Sequence, residues 1–446
     1  MDLDLISRRF AELARKHLIP GAQLAVHHDG RTHTFEFGVQ EHGTGRRMTR
    51  DSKVPIGSIS KMCTATLAMI LVSDGDLELD AAVGEYLPDL DEVARGRLTL
   101  RHLLSHTGGL ASDPDEVHPT SRRRQVLASC KGLDPLHPPG AAFSYSNIGY
   151  VLAGHLIEVV TGMTWWEAVD AVLFQPLEIE PHFVVAPVDA PRAGLPVVTG
   201  HSVNPALRRV RPLTQSLTMA EAPAGAVAAS ATDLVAIGRL HVTSEQRSSR
   251  LASPSVLREM TMQFPHAEPF GMADGWGLGL ALYRNRRSTW LGHDGTADGT
   301  ACHLRVDPDG GTVVVFTSNG STGMAMWPEL VDELNAAGLP VASYDGRRRL
   351  TRRVPPPRGC VGSYFNGDTE YVVTISDRGR ILLTVDGDPF AELTMYDGLL
   401  FSMRDVETGE DDQTGRFLTD RRSGRIQWIQ IGGRLARRRD QASEVA

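Results

Sequence analysis

Lysine is the scarce residue of this chain. Of 46 lysines and arginines only Lys16, Lys53, Lys61 and Lys131 are lysines, and none follows Lys131. No lysine ammonium can therefore serve whatever chemistry the C-terminal two-thirds perform. Cysteine is also sparse: Cys63, Cys130, Cys302 and Cys360 lie far apart with no C-x-x-C pair. That argues against a dense disulfide framework and against a local zinc knuckle. An excess of positive charge is missing as well. The net charge of −8 disfavours nucleic acid as a partner. No apolar run approaches the roughly 18 residues needed to span a bilayer, and the N-terminal stretch MDLDLISRRFAELARKHLIPG lacks the apolar core of a secretion signal. A cytoplasmic protein with reduced thiols is the expectation. Internal repeats and low-complexity tracts are absent too.

What is present suits a soluble globular protein: 41% hydrophobic and 22% charged residues over 446 positions. That length exceeds one ordinary domain, and two or three are expected. The N-terminal stretch reads as an amphipathic helix with Leu5, Phe10, Leu13 and Leu18 on one face. Residues 22–39 read as two strands turning at Asp29-Gly30. Apolar helical patterns follow at 58–72, capped at Gly75, at 147–161 and at 232–241. The period then changes to two in WGLGLALY (276–283), ACHLRVD (301–307) and TVVVFTSN (312–319), before a helix at 326–337. A sheet assembled from both ends of this region and covered by helices is expected, an α+β fold. Residues 343–358, rich in arginine and proline, divide a domain at 1–342 from a second at 359–446. The latter holds the short strand-like runs EYVVTI, RILLTV, LLFSM, GRFLTD and RIQWIQI, separated by Asp-Gly and Ser-Gly turns. Such spacing predicts a small antiparallel barrel or sandwich.

Three short motifs carry chemistry. In Gly57-Ser58-Ile59-Ser60-Lys61, a helix starting at Ser58 sets Lys61 one turn on, on the same face. A serine hydroxyl needs a base, and a lysine serves only if burial or nearby charge lowers its pKa. The same spacing also describes a surface lysine that happens to follow a serine by three. Tyr145-Ser146-Asn147 opens a helix, where a phenol can relay a proton and an amide can orient a substrate. Alone it equally describes a core tyrosine beside a capping Asn. Gly292-His293-Asp294-Gly295-Thr296 precedes the strand pair 301–319, and its glycines allow close backbone approach. Alone, His293 reads as a turn or core histidine, and no second ligand stands at metal spacing. His102 and His106 are four apart, but the glutamate of H-E-x-x-H is missing. Cys63 shares the Ser58 helix and reads as packing.

In this order and spacing the motifs resemble the serine β-lactamase and penicillin-binding-protein superfamily, especially its class C-like branch of D-aminopeptidases and esterases. GSISK, YSN and HDG carry the likeness, and LRHLLSHTGGL (100–110) and DGDLELDAAVGEYLPDL (74–90) add to it. The resemblance covers roughly residues 5–340. It implies a β-lactamase/transpeptidase-like antiparallel sheet flanked by helices with an all-helical subdomain. It also implies Ser58 as nucleophile, Lys61 as its base, Tyr145 as proton relay and Asn147 as holder of the substrate amide. His293 would replace the usual lysine of the third motif. Backbone N–H groups of Ser58 and Thr296 would form the oxyanion hole, with Asn147, Gly295 and Thr296 against the substrate. No cofactor is required.

Lysine's replacement by His293 argues against β-lactam hydrolysis, since a neutral imidazole is no fixed partner for a carboxylate. A cytosolic enzyme with an added lipocalin-like barrel is similar to the penicillin-binding-protein-type thioesterases that act beside nonribosomal peptide synthetases. That likeness implies a peptidyl thioester substrate, a peptidyl carrier protein as partner, and release by head-to-tail macrocyclisation. Two other readings remain open: a D-stereospecific aminopeptidase or carboxylesterase, and a non-catalytic ligand sensor.

Overall fold

The computed structural model describes residues 1–90, 98–114, 121–130, 135–185, 197–215, 217–246, 251–410 and 413–439. Lys131 lies outside them. Helix α1 (Leu3–Lys16) is capped by Asp2, whose carboxylate accepts the Leu5 N–H at 3.0 Å. It buries Ile6, Phe10, Leu13 and Ala14. The expected stripe was off at both ends: Leu5 is only partly buried, and Leu18 lies past the helix in a left-handed conformation (φ 54°).

Strands β1 (Gly21–His28) and β2 (Arg31–Gly38) turn at Asp29 and Gly30, whose φ values of 49° and 72° suit a two-residue hairpin. The remaining strands of this sheet are β3 (Gly275–Trp276), β4 (Ala281–Arg284), β5 (Thr289–Ala297), β6 (Thr300–Asp307) and β7 (Thr312–Ser318). They form a seven-stranded antiparallel sheet in the order β2-β1-β7-β6-β5-β4-β3. The sheet is thus closed by strands from the two ends of the region, as the period-two runs predict. WGLGLALY, read as one strand, is two: Gly277 to Leu280 break it between β3 and β4. More consequentially, the LGHDGT motif lies within strand β5 rather than in a turn before the strands. Its glycines suggested a turn, yet they serve close packing inside the strand.

Helices cover both faces. On one face α1 and α5 (Gly323–Ala336) pack Phe10, Leu330 and Leu334 against Leu24, Val26 and Phe316. On the other, α2 (Ser60–Asp74) and α4 (Ala231–Arg239) meet Ala25, Leu304, Val313 and Val315. Adjacent residues 24, 25 and 26 point into alternate cores, which is the strand period at work. Helix α2 is buried continuously from Ser60 to Leu71, so it runs through the core, with Lys61 and Thr64 among the polar groups on its wall. It ends at Gly75 (φ 87°) in the left-handed conformation that glycine favours. Helix α3 (Asn147–Thr161) starts at Ser146, whose hydroxyl accepts the Gly149 N–H at 3.1 Å.

Beyond residues 343–358, strands β8 (Gly362–Asn366), β9 (Thr369–Ile375), β10 (Ile381–Val385), β11 (Asp388–Tyr396), β12 (Leu400–Asp405), β13 (Gln413–Thr419), β14 (Ile426–Ile431) and β15 (Arg434–Arg438) close into an antiparallel barrel. Tyr364 and Phe365 of β8 pair with Arg438 and Arg437 of β15 to shut it. Tyr364, Phe401, Met403, Phe417 and Ile429 fill its interior, each worth roughly 1.5–3 kcal/mol on burial. The interior is a packed core.

Candidate active site

The polypeptide enters α2 through a 3-10 turn, Gly57–Ile59, which sets Ser58 at the helix N-terminus, partly exposed. Strand β5 presses directly onto this turn. A Cβ on Gly57 (φ 52°) would lie 2.1 Å from the Thr296 carbonyl oxygen and 2.8 Å from its nitrogen. One on Gly295 would lie 2.0 Å from the Ile56 carbonyl oxygen. Two glycines facing each other therefore let the backbone of Thr296 reach the backbone of Ser58. The first amides of a helix lack partners within it.

One turn into α2, the Lys61 amine lies 3.1 Å from Ser58 Oγ and donates to the Ala224 carbonyl at 2.7 Å. The short helical segment Ala222–Gly225 supplies that acceptor, and it also holds α2 through Thr64 Oγ1, which donates to the Pro223 carbonyl at 2.8 Å. The lysine is fully buried. Burial first, and then the Arg434 guanidinium, pull its pKa from 10.5 down to about 7, against a smaller opposing pull from Asp113. A substantial fraction of this amine is uncharged at neutral pH.

Tyr145 faces Ser58, and burial pushes its phenol up despite that interaction. Lys61 Nζ lies 5.1 Å from the Tyr145 ring centroid. His106 stacks on the same ring at 4.3 Å, and Phe143, Tyr150 and Trp276 complete an aromatic enclosure around His106. Ser146 N–H donates to His106 Nδ1 at 3.1 Å, so the ring proton sits on Nε2. Burial, with Lys61 next in importance, holds this imidazole neutral. Asn147 opens α3 and its amide donates to the Asp113 carboxylate.

His293 reaches the cleft from β5, with its ring 6.3 Å from that of Tyr145 and 5.2 Å from Trp276. Its Nδ1 lies 2.6 Å from the Asp294 carbonyl oxygen, which can only accept. The proton is therefore on Nδ1. Burial first and Lys61 second lower its pKa to about 4, so at neutral pH Nε2 is a bare acceptor. That atom has no partner among the described residues.

Asp294 points to the opposite face of the sheet. Its carboxylate accepts from His303 Nδ1 at 2.7 Å, from Arg305 at 2.6 and 3.1 Å, and from the Tyr283 hydroxyl at 3.1 Å. Burial would raise its pKa, but Arg305 and His303 outweigh that and hold it well below the usual carboxylate range. The guanidinium of Arg305 lies 3.6 Å from the Tyr283 ring centroid, and His303 stacks on Trp327 at 4.5 Å.

The barrel closes the cleft from the side. The Gly433 carbonyl accepts the Tyr145 N–H at 3.0 Å, and Arg434 sits 5.3 Å from the Tyr145 ring centroid. Leu435 N–H donates to Ser144 Oγ at 3.2 Å, and Gln430 donates to the Phe143 carbonyl at 3.1 Å. Asn366, the last residue of β8, accepts the Ser112 N–H at 2.7 Å and donates to the Leu435 carbonyl at 2.8 Å. Ser112 in turn supplies the carbonyl that takes the Asn147 N–H at 2.6 Å.

The structure thus gathers Ser58, Lys61, Tyr145, Asn147, His293, Gly295 and Thr296 around one cleft. Sequence reasoning missed His106, Asp113, Trp276, the Ala224 carbonyl, Arg434 and Asn366. Of these only His106 carried a signal, and it was weighed as one of a metal pair with His102. His102 instead lies 3.0 Å from the Thr99 hydroxyl at a helix start, and no metal-holding cluster occurs among the described residues. Cys63 is buried and its thiol is pushed up to about 12 by that burial, which leaves it inert packing.

An antiparallel sheet flanked by helices, with a buried lysine beside a serine at a helix start, defines a serine hydrolase or acyltransferase of β-lactamase fold. The comparisons agree: the Beta-lactamase family model matches residues 6–337, and the chain belongs to that family. Penicillin-binding protein 4 of Amycolatopsis lactamdurans is 35% identical over 343 residues, 73% of this chain and 87% of that protein. The crystal structure of SurE superposes with a TM-score of 0.86 at 36% identity, covering 98% of each chain. That of SurE with D-Leu gives 0.84 at 37% identity over 98% of this chain and 99% of the other. The likeness to SurE therefore includes the barrel. Among the described residues no helix is long and apolar enough to cross a membrane.

Proposed function

We propose that this protein takes a peptidyl group from a thioester onto Ser58 and releases it by intramolecular aminolysis, as a cyclic peptide. The observation that carries the acyl-transfer step is the buried Lys61 amine, 3.1 Å from Ser58 Oγ and titrating near 7. Lys61 accepts the hydroxyl proton as Oγ attacks the thioester carbonyl. The N–H groups of Ser58 and Thr296 hold the oxyanion. The C–S bond breaks and the thiol departs with a proton relayed through Tyr145, which leaves an ester on Ser58. The amine at the other end of the peptide then attacks that ester. It forms the amide and loses a proton, while Ser58 leaves and regains its own. The sum is thioester plus amine giving amide plus thiol.

Two features support an amine as the acceptor. His293 offers a bare Nε2 acceptor to an incoming N–H donor, in contrast to a lysine that would donate to a carboxylate. The two carboxylates whose charge reaches Tyr145, Asp113 and Asp294, are both engaged, by Asn147 and by Arg305 and His303 respectively. Asp294, which these bonds hold on the far face of the sheet, is not placed to activate a water at Ser58. A D-configured residue at the acyl end of the peptide is supported by the crystal structure of SurE with D-Leu, to which this chain is similar over nearly its whole length.

Incubation with a linear peptidyl N-acetylcysteamine thioester ending in a D-residue, followed by mass spectrometry, tests the proposal. A cyclic product is expected. Only the linear acid would mark a D-specific peptidase or esterase, and no turnover with no labelling of Ser58 would mark a non-catalytic protein.

A further inference from the structure

A second concavity lies away from Ser58, where the β4–β5 turn, helix α5, residues 340–348 and the barrel meet. Its volume is about 1280 Å³. A helix about 10 Å across has a cross-section near 80 Å², so this space takes roughly three helical turns. Apolar Pro328, Val331, Pro340, Val341 and Tyr344 line it together with polar Asn285, Asn335, Gln413 and Thr414. The rim is cationic, with Arg284, Arg286, Arg287, Arg347 and Arg348 against only Asp332 and Asp345 among acids. Arg284 is spent on Asp274 and Gln263, and Arg348 on Asp345. The guanidinium groups of exposed Arg286, Arg287 and Arg347 make no hydrogen bond or ion pair with any described residue.

Three uncompensated guanidinium groups around one concavity are unexpected in a chain whose net charge is −8. Like charges held together repel, and that arrangement gains stability when an anionic surface covers it. A groove that mixes apolar and polar side chains under a cationic rim takes an amphipathic helix whose edges carry negative charge. The groove also borders the catalytic cleft. Gly432 lines it, and the next residue, Gly433, holds the Tyr145 N–H.

We propose that this groove docks an acidic amphipathic helix of the protein that delivers the acyl group, a carrier domain bearing its peptide on a phosphopantetheine thioester. The inference rests on the thioester reading above, and the arginine rim adds where the carrier sits. The carrier's charge steers it to the rim, and its long thiol arm leads the acyl group to Ser58.

The triple variant R286E/R287E/R347E tests it, since none of these residues touches the cleft. The same peptide is offered to wild type and variant in two forms: on a recombinant acidic peptidyl carrier domain, and as the N-acetylcysteamine thioester. Charge reversal across a docking surface is expected to raise KM for the carrier-borne peptide about tenfold or more. Constants for the small thioester should stay unchanged. For wild type, KM with the carrier should climb between 50 and 500 mM salt. Equal effects on both substrates, or on neither, would overturn the docking proposal while leaving the acyl-transfer reading intact. If the small thioester is not turned over, anisotropy titration with the unacylated, labelled carrier domain decides the docking question alone. Loss of binding in the variant supports it, and equal binding by both proteins defeats it. Wild type that runs as a dimer in light scattering, with a monomeric variant, would assign the rim to a second copy of this chain and also overturn it.

Discussion

Two neighbouring residues of β5 face opposite worlds. His293 looks into the cleft, where it and His106, Lys61 and Tyr145 are buried with few hydrogen-bond partners. Each responds by favouring its neutral form, and neutral amines and imidazoles are the forms that accept protons. Asp294 looks the other way, into a site where Arg305, His303 and Tyr283 occupy its carboxylate from several sides. There Asp294 and Arg305 keep their charges, while burial holds His303 toward its neutral form, and the geometry is fixed. The same strand thus separates a face that discards charge in order to react from a face that keeps charge in order to hold still. Burial alone therefore does not decide the outcome: Asp294 and Arg305 stay charged because each faces its opposite charge.

The contrast is broken most completely at the reactive face. Ser58→Ala should lower kcat/KM for a peptidyl thioester by about 10⁴- to 10⁶-fold, read as thiol release, with folding unchanged. Lys61→Met should cost about 10²- to 10⁴-fold in the same assay, yet gain stability. The folded pKa of about 7 lies below the unfolded 10.5, so the native state binds fewer protons between those values. Wild-type stability should therefore rise with pH from about 7 to 10 through this group. The advantage of the methionine variant should be largest below pH 7, approaching at most roughly 5 kcal/mol. The unpaired Ala224 carbonyl reduces it. Urea unfolding at several pH values reads both effects.

At the supporting face the sign reverses. Asp294→Asn leaves Arg305 buried without its counter-charge and should destabilise by about 3–5 kcal/mol in urea unfolding. The double variant D294L/R305M, which removes both charges, should recover much of that loss. The smallest effect sharpens the comparison. Arg434→Gln removes one of the causes that lower the Lys61 pKa, so the rising limb of the acylation pH profile should move to higher pH, by less than about one unit. Arg434→Lys should keep the limb in place.

Much of this was legible in the chain itself. Ser58, Lys61, Tyr145, Asn147 and His293 sit in three local motifs, and local motifs survive without knowledge of the fold. Helix α3 was bounded correctly because Ser146 and Gly162 are strong caps at its two ends. Strand β5 was missed because Gly292 and Gly295 look like turn residues. Their purpose, making room for the Leu304 and Ile56 carbonyl oxygens, exists only across the sheet. In the barrel, five runs announced themselves, but β11 and β15 did not; the arginines of β15 (RLARR) interrupt its apolar alternation. Arg434 and Asn366 stayed invisible for a different reason. Their partners Tyr145 and Ser112 are more than 250 residues away, and no periodicity encodes such a meeting.

The bond from Tyr145 to Gly433 also sets a schedule. On the ribosome the phenol that faces Ser58 emerges 288 residues before the carbonyl that fastens its backbone. A nascent chain can complete α2, bury Lys61 and dock most of the helices while this side of the cleft stands open. Ser144 and Tyr145 already bond to His106 and Ser112, but only when β14 and β15 come together does the loop from Phe143 to Tyr145 gain the contacts from Gln430, Gly433 and Leu435. The last-made strands are thus the ones that arm the first-made motif, and a truncated product stopping before residue 433 cannot fix Tyr145 in this way, however well its sheet has formed.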